Sequence, residues 1–114
     1  MALDIKQREF GDITIIELHG RATIGLGNDI LNAQLRKVVD SGAKKLLLDL
    51  SGLAQIDSSG ISSIVRTYVT LERAGGTLRL LRPGGRVKEV LAVTRLLAAI
   101  PHFDEEGPAY ASFS

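Results

Sequence analysis

The chain has 114 residues, enough for one domain with a single buried core. A net charge of +1, few aromatic residues and no Trp argue against nucleic-acid binding by charge or by base stacking. The absence of Cys excludes disulfides, thiolate zinc sites and thiol catalysis, and is typical of a reducing compartment. Residues 1–6 become charged at once, and no apolar run approaches the roughly 20 residues that span a bilayer. We therefore expect a cytoplasmic protein without direct membrane insertion.

The hydrophobic pattern alternates between strand and helix periods along the chain. Segments with β-branched or continuous apolar character are predicted strands: 5–10, 12–18, 44–50, 77–82 and 99–103. Segments with a period near 3.6 are predicted helices: 28–40, 58–74, 86–93 and 104–113. The short gap between the first two strands predicts antiparallel pairing. The helix between the third and fourth strands predicts a parallel, right-handed βαβ unit.

These elements predict one α/β domain over residues 1–114. Continuous leucines in 44–50 indicate a central strand that is buried on both faces. We expect a mixed, mostly parallel sheet of four to five strands, with the first strand antiparallel and about four helices packed against the sheet. The glycine-rich segment 19–27 lacks the Gly-Lys-Ser/Thr of a phosphate-binding loop. It is predicted to be irregular chain that leads into a helix capped by Asn28 or Asp29.

The tetrapeptide Asp57-Ser58-Ser59-Gly60 joins the central strand to the second helix. Asp57 can be a cap that accepts backbone N–H bonds, and it can be a carboxylate that orients the Ser58 hydroxyl or meets a basic group of a partner; the two roles are compatible, because capping fixes the carboxylate beside the serine. Ser58 and Ser59 are likewise caps, or Ser58 is a hydroxyl that carries a phosphate, because free N–H groups at a helix start favour an anion. The residues by themselves favour the capping roles.

Catalysis finds little support in the sequence. The Gly-x-Ser-x-Gly of a nucleophile elbow is absent, and nothing in the spacing brings His19 or His102 to Ser58 as a general base. The two histidines and the nearby carboxylates show no metal-ligand spacing. We therefore expect neither an enzyme nor a cofactor or metal. A serine hydrolase is the alternative that an acyl-enzyme burst at Ser58 would reveal.

The run 48–61 resembles the signature of STAS domains, specifically of anti-sigma factor antagonists: an apolar strand, a short loop, then Asp-Ser-Ser-Gly opening a helix. The similarity continues in three later segments: 72–78, 83–91 and 109–113. It implies a STAS fold and a non-catalytic regulator that binds an anti-sigma factor serine kinase and so frees a sigma factor. It also implies that the kinase phosphorylates Ser58, supported by Asp57, Ser59 and Gly60, and that a metal-dependent serine phosphatase reverses this.

The exposed face of the second helix is the partner-binding surface that the resemblance implies. Its expected contacts are Ile61, Ser62, Ser63, Arg66 and Thr67. Gly60 is expected to leave this surface uncrowded, so that a kinase can approach the serine.

Many antagonists carry Gly-Glu-Leu-Asp after the second strand, where the acid contributes to partner binding. Here the matching positions are Gly20-Arg21-Ala22-Thr23, so Arg21 and Thr23 offer the partner a different chemistry. This departure keeps a second interpretation open, in which the chain is a STAS subunit of a lipid-transport ATPase or of a stress-signalling complex.

Overall fold

The computed structural model describes residues 2–114; Met1, which the single-domain prediction includes, lies outside them. Five strands form one sheet: β1 Leu3–Phe10, β2 Ile13–Ala22, β3 Lys45–Ile56, β4 Thr77–Leu81 and β5 His102–Phe103. The helices between and after them are α1 Leu26–Asp40, α2 Ser58–Arg73, α3 Gly85–Val93, α4 Leu96–Ala99 and α5 Glu106–Ala111. The strand order follows the chain order; β1 is antiparallel to β2, and the other neighbours are parallel. The predicted mixed sheet with an antiparallel first strand is confirmed.

The central position of β3 explains its continuous apolar sequence. Buried apolar side chains form two clusters, a larger core and a smaller one. Leu46, Leu48 and Leu50 are buried in the larger core, together with apolar side chains of α1, α2 and α3. Leu47 points to the opposite face, where it packs with Ala109 of α5. Burying each leucine stabilises the fold by roughly 1.5–3 kcal/mol. Because both faces of β3 are covered, the predicted two-sided burial of this strand is confirmed.

The strands β2 and β3 run further than the sequence predicted. We expected them to end at Leu18 and Leu50, but both continue, paired in parallel, and Arg21 lies opposite Gln55. Register shifts in this pairing, one of them between Gly20 and Arg21, interrupt the alternation of side chains that reveals a regular strand. Arg21 is therefore a strand residue rather than a loop residue.

Two other elements differ from their predictions. Helix α1 begins at Leu26 with Gly25 as its N-cap and no side-chain cap, so the prediction that Asn28 or Asp29 caps it is wrong. Of the last strand predicted over 99–103, only His102–Phe103 is a strand, and Ala99 is the final residue of the short helix α4. Leu96 and Ile100 lie four residues apart and are both buried in the larger core, a spacing that a helical turn satisfies.

Candidate functional site

The turn into α2 is organised by the side chain of Asp57. Asp57 has extended backbone angles and is the N-cap of the helix, which begins at Ser58. Its Oδ1 accepts hydrogen bonds from the backbone N–H of Ser59 at 2.9 Å, from that of Gly60 at 3.3 Å and from the Ser59 hydroxyl. The predicted Asp57 cap is confirmed. Ser58 itself is exposed, so its hydroxyl faces solvent at the positive end of a 16-residue helix.

The second carboxylate oxygen of Asp57 reaches a different part of the chain. Its Oδ2 accepts a hydrogen bond of 2.8 Å from the backbone N–H of Ile24, in the loop between β2 and α1. The hydrogen bond from the Ser59 hydroxyl, and after it the one from Ile24, hold the pKa of Asp57 below its ordinary value of 3.8. The two residues are 33 positions apart, and no local sequence pattern indicates this contact.

Gly60 lies inside the molecule rather than on the surface. A Cβ at this position would lie 2.5 Å from the carbonyl oxygen of Ala22 and 2.8 Å from Cγ1 of Ile56. The expectation that Gly60 leaves the surface uncrowded for a kinase is therefore wrong. Its missing side chain instead lets the first turn of α2 approach the end of β2 closely.

Ser63 and Thr67 were expected on the exposed face of α2, but they are buried, with 1% and 8% of their surface accessible. The Ser63 hydroxyl lies 2.8 Å from Oδ1 of Asn28 on α1, and the Thr67 hydroxyl donates to the carbonyl oxygen of Ser63 at 2.9 Å. Small polar residues whose hydroxyls are satisfied within the helix pair can occupy such an interface. The predicted exposure of these two residues is wrong, because hydroxyl side chains alone do not reveal which helix face is buried.

The other predicted contact residues differ in exposure. Ser62 and Arg66 are exposed on α2, and Nη2 of Arg66 donates to Oδ1 of Asn32 on α1 at 3.0 Å. Ile61 is half-buried and packs against the larger core. Arg21 is exposed at the end of β2, and Thr23 is half-buried in the loop that follows. Whether these residues contact a partner stays a prediction.

Exposed apolar side chains near Ser58 were not anticipated. Ile24 and Leu26 are 83% and 66% exposed, and Val65 and Val69 on α2 are each more than one third exposed. The positions 58, 62, 65 and 69 follow the spacing of one helix face. We call the following set the Ser58 surface: Ser58, Ser62, Val65 and Val69 of α2, with Ile24 of the β2–α1 loop and Leu26, the first residue of α1. In the sequence, the exposure of Ile24 and Leu26 is indicated only by their position among glycines and polar residues, which is unusual for large apolar side chains.

The histidines lie apart from the hydrogen bonds of this turn. His19 lies on β2 opposite Gly52, with its Nε2 3.6 Å from Oε1 of Glu17, and His102 lies on the edge strand β5. Across residues 2–114, no group of three His, Asp or Glu side chains is arranged to hold a metal ion. In the same part of the chain, no helix is both long and apolar enough to cross a bilayer.

Replacing Asp57 by Ala is expected to destabilise the protein by about 1–2 kcal/mol, because the helix loses its cap and Ile24 loses its acceptor. Since the folded-state pKa of Asp57 is lowered, its contribution is present above about pH 3.8 and is lost as the pH falls through the lower folded value. Urea unfolding from pH 3 to 7 measures both effects. The exposed Asp104→Ala should change stability by less than about 0.5 kcal/mol. Equal losses in both variants would contradict the assigned role.

The mixed sheet and the Asp57-capped helix are features that identify a protein family when the chain is compared with known proteins. The family model of the STAS domain matches residues 4–109, and the chain therefore belongs to the STAS domain family. The predicted family membership is confirmed.

Two relatives in this family have names that describe them as anti-sigma factor antagonists. The chain is 30% identical over 83 residues to the anti-sigma factor antagonist BtrV of Bordetella bronchiseptica, covering 73% of this chain and 72% of that protein. It is 33% identical over 66 residues to an anti-sigma factor antagonist of Thermotoga neapolitana, a TM1081 homolog, covering 58% of this chain. The match spans only 58% of that relative's length.

Solved structures share the fold. A crystal structure of an anti-sigma factor antagonist from Mycobacterium paratuberculosis superposes with a TM-score of 0.85 at 18% identity, covering 98% of this chain and 94% of that one. The phosphorylated form of the Bacillus cell fate determinant SpoIIAA superposes with a TM-score of 0.72 at 20% identity, covering 97% and 99%. At these identities the likeness concerns the fold.

Proposed function

We propose that this protein is an anti-sigma factor antagonist whose binding to an anti-sigma factor serine kinase is switched by phosphorylation of Ser58. The observation that carries the proposal is the exposed Ser58 at the first residue of α2, beside a capping aspartate and exposed apolar side chains. The names of two relatives, and a structural neighbour solved in a phosphorylated form, support it.

Ser58 is a suitable phosphate acceptor for electrostatic and steric reasons. Its side chain is exposed, and the start of α2 carries a partial positive charge that favours an anion. Phosphoryl transfer by the kinase forms a bond between Ser58 Oγ and the γ-phosphorus of ATP. It breaks the bond between that phosphorus and the oxygen that leaves with ADP, and it releases the hydroxyl proton. A serine phosphatase reverses the modification by hydrolysis, which returns the hydroxyl and inorganic phosphate.

The Ser58 surface is the proposed binding surface for the kinase. It combines hydroxyls with partly exposed apolar side chains, which are enriched where proteins bind one another. Ile61 and Arg66 extend it along α2 beyond Ser62, and Arg21 and Thr23 border it at the end of β2. The guanidinium of Arg21 favours a partner with an acidic group at the facing position. Ser63 and Thr67 are left out of the binding surface because they are buried.

In this role the chain itself catalyses nothing. The chemistry belongs to the kinase and the phosphatase, and this protein supplies the hydroxyl and the surface. ATP-dependent phosphorylation and control of a sigma factor both require a cytoplasmic location.

A labelling experiment tests the proposal. Native lysate with γ-labelled ATP should label the wild-type protein, and Ser58→Ala should abolish the label because the acceptor hydroxyl is gone. Ser41→Ala, at an exposed serine at the end of α1 and outside the Ser58 surface, is the matched control and should keep the label. Label retained by Ser58→Ala would disprove the site assignment.

A pull-down from the same lysate separates the proposal from the second interpretation. Capture of a serine kinase by wild-type protein, lost when Ser58 carries a phosphate, supports the proposed partner. Capture of a membrane ATPase or a large stress-signalling complex instead would contradict it, and would favour the STAS subunit interpretation that the exposed Arg21 keeps open.

A further inference from the structure

Asp57 joins two segments that the chain keeps far apart. Its Oδ1 holds the first turn of α2 through the N–H groups of Ser59 and Gly60, and its Oδ2 holds the β2–α1 loop through the N–H of Ile24. The carboxylate of Asp57 therefore connects the first turn of α2, where Ser58 lies, to Ile24, which is 33 positions before Asp57 in the sequence.

The loop has few other anchors at Ile24. The Ile24 side chain is 83% exposed and Leu26 is 66% exposed, so burial contributes little to holding either side chain in place. The backbone of Ala22 before them accepts a 3.4 Å hydrogen bond from the N–H of Asp57, and Thr23 accepts one from Asn28 at 2.9 Å. Gly25, the next residue, accepts a hydrogen bond from the N–H of Asp29 at 3.0 Å. Between these anchors, the Oδ2 of Asp57 is the hydrogen-bond acceptor for the N–H of Ile24 itself.

We propose that Asp57 is a positioning residue that transmits phosphorylation of Ser58 to the β2–α1 loop. The inference rests on the proposed phosphorylation of Ser58. A phosphate there adds a charge of roughly −1.5 to −2 next to the Asp57 carboxylate and competes for the same N–H groups at the helix start. The carboxylate is then repelled from its present position, and the Oδ2 contact with Ile24 weakens. Phosphorylation thereby releases the β2–α1 loop that holds Ile24 in the Ser58 surface.

Amide hydrogen exchange measured by NMR tests this coupling. Phosphoserine is incorporated at position 58 during translation, so that no kinase is required. The Ile24 amide should exchange about tenfold faster than in the unmodified protein, as expected for a weakened hydrogen bond in an exposed loop. The Gly76 amide, which donates to the carbonyl oxygen of Leu71 at 2.7 Å at the other end of α2, is the internal reference and should not change.

Two variants isolate the role of Asp57. Asp57→Asn keeps a good helix cap but has one acceptor oxygen instead of two, so Ile24 should exchange fast without phosphate, and phosphate should add little. Ser59→Ala removes the hydroxyl contact with Asp57 but not the Ile24 contact, and should keep the slow Ile24 exchange.

Unchanged Ile24 exchange in the phosphoserine protein would overturn the coupling. So would a joint rise at Ile24 and Gly76, because it would mean general loosening rather than a local release. Both outcomes are independent of the labelling experiment. If no kinase labels the protein, the exchange rate of the Ile24 amide can still be measured in the phosphoserine protein. If a kinase does label Ser58, the exchange rate of Ile24 can still be unchanged.

Discussion

Phosphoserine at position 58 is expected to lower the affinity for the anti-sigma factor kinase by about 100-fold, which corresponds to roughly 3 kcal/mol. The added charge of roughly −1.5 to −2 would have to be desolvated beside Asp57 and among the exposed apolar side chains of Ile24 and Val65. Such a charge without a basic partner costs several kcal/mol in an interface. Titration calorimetry with the purified kinase, lacking ATP, measures the difference.

The control is phosphoserine at Ser41, an exposed residue at the C-terminal end of the 15-residue helix α1, the end opposite to Leu26. It adds the same charge and should leave the affinity within about twofold, because exposed charges beyond a Debye length are screened. Ser58→Asp adds a smaller charge and should weaken binding by about tenfold. Binding that withstands full phosphorylation of Ser58 would rule out the electrostatic switch.

Gly60→Ala is expected to destabilise the protein by about 1–2 kcal/mol. The new Cβ would meet the carbonyl oxygen of Ala22 at 2.5 Å, and a backbone atom within a paired strand has little freedom to move away. Overpacking of this kind costs about 1–3 kcal/mol, and Ala recovers only about 1 kcal/mol through its better helix propensity. Gly60→Val should cost more, since Cγ1 of Ile56 lies on the other side at 2.8 Å. Urea unfolding measures both variants.

Gly107→Ala is the matched control for this substitution. Gly107 also lies in a helix, α5, but a Cβ there meets no atom within 4 Å outside its immediate chain neighbours. This variant should change stability by less than about 1 kcal/mol, because Pro108, the next residue, offsets the gain in helix propensity. If Gly60→Ala were as stable as Gly107→Ala, the close approach of α2 to β2 would not constrain position 60.

Local sequence patterns were enough to predict much of the fold. The leucines of β3 predicted a strand buried on both faces, and the period of residues 58–74 predicted a helix that the structure has as Ser58–Arg73. Asp57 was expected to cap that helix, and it does. These features depend on neighbours within a few positions, where spacing and capping preferences act directly.

Other features of the site depend on contacts between distant segments. The burial of Ser63 and Thr67 follows from the packing of α2 against α1, and a hydroxyl is compatible with either a buried or an exposed helix face. Arg21 lies on a strand because irregular parallel pairing with β3 extends β2, although the register shifts hide its alternation. Ile24 reaches the site through its backbone N–H, a group that every residue except Pro has.

Capping and periodicity are local properties, so the residues around Asp57-Ser58-Ser59-Gly60 are enough to predict a strand, a capped turn and a helix in succession. What surrounds that turn follows from the tertiary structure. In it, Gly60 is buried against Ala22, and Ser63 is buried between α1 and α2. The backbone N–H of Ile24 lies within hydrogen-bond distance of the second carboxylate oxygen of Asp57. Such contacts arise where separate elements meet, and the spacing of residues along one element carries no information about them.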